Sequence, residues 1–206
     1  MHRPARTIER GAGPWLIALF LSLVLAWPGA WAQSTPAEVT QLQVERSDDG
    51  LLLSAAVRFE LPQVVEDALD KGIPMYFLAE ATVYRDRWYW YDKRVATATR
   101  HMRLTYQPLT RRWRLQVSSA PISSSGLVLG QMFDSQDEAM AAVLRVSGWH
   151  IADNSEIDPD ASHTVDFRFR LDVSQLPRPF QIGAVGQADW NVQAARNLRL
   201  VPDRAR

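Results

Sequence analysis

The chain contains no cysteine. That absence excludes disulfides, thiolate zinc sites and the acylated cysteine of a lipoprotein, so stability must come from the core. The sequence also lacks a glycine-rich phosphate loop, a His-Glu helical pair for zinc and a Gly-x-Ser-x-Gly elbow, the spacings that announce chemistry by themselves. The apolar run from Trp15 to Trp27 is shorter than the ~20 residues a membrane-spanning helix needs. Neither sign of charge dominates, with 23 basic and 23 acidic side chains, and nothing global draws the chain to nucleic acid.

What is present points to an exported globular protein. Arg3, Arg6 and Arg10 precede the apolar run, and Pro28-Gly29 and Ala30-Trp31-Ala32 follow it, the pattern of a secretory signal peptide cleaved after Ala32. Residues 1–32 are thus expected to be a leader and 33–206 a single periplasmic domain. Apolar residues make up 47% of the chain, ample for a core.

The stretch from Ile73 to Val117 organises the chain. Met75, Phe77, Ala79, Ala81 and Val83 alternate with Tyr76, Leu78, Glu80, Thr82 and Tyr84, the period of a strand with two distinct faces. Residues 94–107 read as its partner, and Trp113, Leu115 and Val117 mark a third strand. Between the first two lies Arg85-Asp86-Arg87-Trp88-Tyr89-Trp90-Tyr91-Asp92-Lys93-Arg94. Trp88 and Trp90 share one face and Tyr89 and Tyr91 the other, so one pair can enter the core and the other is expected to stay partly exposed. The run reads either as a packed hairpin end or as a recognition surface, since Trp, Tyr and Arg dominate binding energies. Arg85, Arg87, Trp88, Tyr89, Trp90, Tyr91, Lys93 and Arg94 are therefore the candidate binding residues.

Earlier in the chain, Thr40, Leu42 and Val44 alternate before Asp49-Gly50, a hairpin signal, and Leu51 to Phe59 continue the alternation. Pro62 and Gly72 bracket a helix over about 62–70. Later, Ser135-Gln136-Asp137-Glu138 is a capping box predicting a helix that runs to Gly148, after a loop with one apolar strand or turn near Leu127 to Leu129. Residues 152–162 form an acidic loop, Val165 to Val173 alternate as a strand, Phe180 to Ala184 are expected to form another, and Trp190 to Val201 a last one. Seven or eight strands with two short helices predict a mainly β, immunoglobulin-like sandwich of two antiparallel sheets. The alternative is α+β, a single curved sheet packed on the helices.

Catalytic, metal and cofactor sites are not expected. Asp153, Asn154, Ser155, Glu156, Asp158 and Asp160, flanked by His150 and His163, lack the Gly and Glu positions of a calcium loop. Glu80 with Asp86 or Asp92 would be a carboxylate pair for a glycan-acting enzyme, although the neighbouring arginines offer simpler ion-pair partners. Arg85, Arg87, Lys93, Arg94, Arg100, Arg103, Arg111, Arg112 and Arg114 outnumber Asp86 and Asp92, which suggests a face for an anionic partner such as lipid, lipopolysaccharide or glycan.

Gly72-Ile73-Pro74, Arg87-Trp88-Tyr89-Trp90, Leu104-Thr105-Tyr106-Gln107-Pro108-Leu109-Thr110 and Leu176-Pro177-Arg178-Pro179-Phe180-Gln181 follow the leader in this order. Together they resemble an exported proteobacterial family of unknown function whose members are labelled proline-rich signal peptide proteins. The resemblance spans nearly all of the expected mature chain and brings no catalytic residue. It implies genes beside sensor histidine kinases of the nitrogen-regulation type, and hence a non-catalytic accessory role with an envelope protein as partner.

Overall fold

A computed structural model describes residues 37–87, 91–122, 129–184 and 190–202. The expected leader, Trp88, Tyr89, Trp90 and the serine-rich stretch 123–128 lie outside the described residues. Nine strands occur among those described: β1 (Glu38–Ser47), β2 (Gly50–Arg58), β3 (Met75–Arg85), β4 (Lys93–Gln107), β5 (Arg112–Ser118), β6 (Gly130–Phe133), β7 (Arg145–Asp153), β8 (His163–Leu171) and β9 (Gln193–Leu200). They form a three-stranded sheet in the order β1-β2-β7 and a six-stranded sheet in the order β6-β5-β4-β3-β8-β9. All pairings are antiparallel. The two-sheet sandwich therefore forms, and the single curved sheet does not.

Strict alternation sets the packing. On β2, Leu51, Leu53, Ala55 and Val57 are buried, and on β3 the odd positions Met75 to Val83 are buried with them. Val165, Phe167, Phe169 and Leu171 of β8 complete the inner layer. Phe59, Phe77 and Phe169 meet at its centre with ring centroids 5.8–6.3 Å apart, and burying each ring contributes about 1.5–3 kcal/mol.

Among the described residues, three α-helices sit in the connections: α1 (Gln63–Asp70), α2 (Gln136–Leu144) and α3 (Arg178–Ala184). Helix α1 buries Val65, Ala68 and Leu69 and ends as expected at Gly72, whose φ of 79° suits a residue without a Cβ. Ser135 caps α2, its hydroxyl accepting from the Glu138 amide at 3.2 Å. The helix stops at Leu144 and does not run to Gly148, because Arg145 onward is drawn into pairing with β2. His150 accordingly lies on a strand and not at a helix exit, and Ala152 and Asp153 end that strand before a 3₁₀ turn over Asn154–Glu156.

One further expectation is corrected. Phe180 to Ala184 are helical, because the Pro177 carbonyl accepts from the Phe180 and Gln181 amides and Pro179 falls in the first turn, where a missing amide costs nothing. The apolar strand or turn expected near Leu127 to Leu129 lies mostly outside the described residues, and directly after it Gly130–Phe133 form β6, paired with β5.

Candidate functional site

The β3–β4 connection emerges at one end of the sandwich, together with the β1–β2 turn, the loop between β7 and β8, and the last residues of β9. Its root is tied down. Arg85 Nη2 pairs with Asp158 Oδ2 at 2.6 Å, and the Asp86 amide donates to the Ser162 carbonyl at 3.0 Å. The Asp86 carboxylate accepts from Thr164 Oγ1 at 2.8 Å and from Arg199 Nε at 3.0 Å. The Arg87 amide donates to Asp92 Oδ1 at 3.1 Å, closing the chain across the aromatic stretch.

Beyond that root, Arg87, Lys93 and Arg94 are exposed and Tyr91 is 87% exposed. None of the three cations forms an ion pair among the described residues. The candidate residues thus divide. Arg85 is a half-buried anchor, while Arg87, Tyr91, Lys93 and Arg94 are exposed.

The broader arginine-rich stretch does not make one face. Arg100 stands opposite Ala79 in the inward row of β4, and burial lowers its pKa. Arg111 and Arg112 lie at the far end, at the β4–β5 turn. Only part of the stretch reaches the outer face of the six-stranded sheet. There one row runs Gln116–Arg103–Tyr76 and another Ser118–His101–Leu78–Arg170–Gln193. The Arg103 guanidinium lies over the Tyr76 ring, 5.8 Å from its centroid. Burial lowers the His101 pKa, with Asp172 opposing and Arg170 reinforcing the shift. Leu78, Glu80, Arg168, Arg170, Gln193 and Ala195 line a shallow groove of about 610 Å³. Sequence reading did not find this face, because half of its cations come from β8 and only pairing sets them beside β3.

Glu80 and Asp86 are six residues apart along extended chain, roughly 20 Å at ~3.3 Å per residue, and Asp92 is held at the same distant end. Glycan-cleaving carboxylate pairs stand within roughly 10 Å of each other. Ser174 donates its hydroxyl to Asp172 at 2.6 Å, an arrangement that caps a turn.

The acidic loop is engaged in local bonds. Glu156 accepts from the Asp153 amide, Asp158 from the Asp160 amide, and Asn154 donates to the Ser47 and Asp48 carbonyls. Among the described residues no three His, Asp or Glu groups gather as a metal site.

The residues that sequence reading missed are those behind the hairpin root: Asp158, Ser162, His163, Thr164 and Arg199. They lie more than 70 positions from Arg85, and no local pattern connects them to it.

No curated protein and no solved structure matches the chain. The match that exists runs over residues 34–198 and takes in every strand just described except the last two residues of β9. The chain belongs to the family described as Domain of unknown function (DUF4390).

Proposed function

We propose that this protein is a non-catalytic accessory module of the cell envelope, exported by its leader, that docks a partner protein through the exposed end of the β3–β4 hairpin. The observation that carries this reading is the rim itself. Arg87, Lys93 and Arg94 project beside an almost fully exposed Tyr91, on a hairpin whose root is bonded to three other segments. A rigid base under exposed aromatic and cationic side chains lowers the ordering cost of association and supplies the residue types that dominate interfaces. The label of proline-rich signal peptide protein and the kinase gene neighbours implied by the resemblance are part of the proposal, and the partner we name is the periplasmic portion of a sensor histidine kinase.

The test is direct binding of purified protein to that kinase segment. Lys93→Glu/Arg94→Glu and Tyr91→Ala are expected to weaken binding at least tenfold while leaving the unfolding midpoint within about 2 °C, since the altered side chains touch solvent. Unchanged binding by both variants would remove the site.

A second reading, capture of anionic lipid, is favoured by one observation: Arg103, Arg168 and Arg170 share the outer face of the six-stranded sheet. It requires salt-sensitive flotation with anionic vesicles and none with neutral ones.

A further inference from the structure

His163 opens β8 in its inward-facing row and is completely buried, at 0% exposure. Its Nδ1 lies 3.1 Å from the Ala161 carbonyl, which places the proton on Nδ1 and leaves Nε2 as a bare acceptor. That Nε2 is shut off from solvent and has no hydrogen-bond partner among the described residues.

The charged groups bearing on the ring come from three elements: Arg46 near the end of β1, Arg85 at the end of β3, and Asp158 in the β7–β8 loop. Strand β9 sets Leu200 opposite it. Arg46 and Arg85 thus oppose protonation of the ring, and Asp158, already paired with Arg85, favours it. Burial, above all, lowers the pKa of the imidazole. The Ala161 carbonyl and Asp158 pull upward, and Arg46 and Arg85 add to the depression.

The residues just before His163 hold the hairpin root, through Asp158 on Arg85 and the Ser162 carbonyl on the Asp86 amide. We propose that His163 is a protonation switch: in acid its ring takes up a proton, leaves the mouth of the core and draws residues 158–162 away from Arg85 and Asp86, freeing the docking rim. This is regulation of the site proposed above and rests on that reading, yet the device can be tested without a partner.

The experiment is a ring-carbon NMR titration of the intact protein from pH 7.5 to 4, with the Asp86 amide followed by hydrogen exchange as protection factors. The protein unfolded in urea is the reference. His163 is expected to titrate below the histidines of the unfolded protein, and Asp86 protection to fall at least tenfold as His163 protonates. His163→Gln should keep Asp86 protected throughout, and Arg46→Met should move both the His163 midpoint and the loss of protection to higher pH. Should the glutamine variant not fold, the Arg46→Met shift decides alone. A His163 midpoint at or above that of the unfolded protein, or equal Asp86 protection across the range, overturns the switch. If the amide opens while partner binding is absent at every pH, the docking reading falls and the switch stands. Partner binding that ignores the opening removes the regulatory role.

Discussion

Gly50 shows how one backbone position is dictated from outside its own turn. The hairpin pairs Ser47 with Gly50, so Asp48 and Asp49 make the two-residue turn and the glycine is the first residue of β2. Its φ is 141°, and a Cβ placed there would collide with the Ala152 carbonyl of β7. Gly50→Ala should cost more than about 1 kcal/mol, read as a fall in the denaturant midpoint at unchanged slope. Asp172 is a residue of another kind. Burial works against its carboxylate, but hydrogen bonds from the Ser174 hydroxyl and amide and from Gln175, with the charge of Arg170, outweigh that and hold its pKa below the usual value. A depressed carboxylate adds stability above its unfolded pKa and loses it as pH falls through the folded one. The stability advantage of the native protein over Asp172→Asn should therefore be full at neutral pH and shrink on acidification below about pH 4. An advantage independent of pH would show that the charge is not what matters.

Among the elements, helix α2 follows from its cap and its apolar positions. Ala139, Met140 and Val143 are buried and pack toward β5, β6 and β7, and the Ser135 hydroxyl satisfies an otherwise free amide. Ser135→Ala should cost about 1 kcal/mol, measurable as a lowered thermal midpoint, and Ser135→Asp should restore it. The start of this helix was legible because capping acts over three residues. Its end was not, because the switch to strand at Arg145 is imposed by β2, far away in sequence. Helix α3 was missed for a similar reason. Its prolines suggested extended chain, while the bonds from Gln181 Nε2 to the Ser174 and Leu176 carbonyls at 2.7 Å join it to a turn that a local pattern does not reveal.

For the whole molecule, stability rests where the two sheets share their aromatic layer. Phe169 is buried to 1% exposure and contacts both Phe59 and Phe77. Phe169→Ala is expected to cost about 3–5 kcal/mol, seen as a large loss in the denaturant midpoint. Phe169→Leu should recover much of it by refilling the volume. Charge is distributed at this scale as well. The arginines that crowd residues 85–114 are scattered to the hairpin end, the inner row, the outer face and the far turn, because strand geometry reverses a side chain's face at each step and its end of the sheet at each hairpin.

The sequence by itself determined most of the strands, β7 excepted, because a period of two between apolar and polar residues admits one buried face, and it determined the aromatic and cationic composition of the hairpin end. The tertiary structure alone decided that Arg85 is an anchor while Arg94 is exposed, that β8 lies beside β3, and that His163 is buried within the influence of Arg46 and Arg85. Those outcomes depend on pairing between segments as much as a hundred residues apart. The free energy of that pairing comes from burying the faces of two sheets against each other, a quantity that no local stretch of the chain contains.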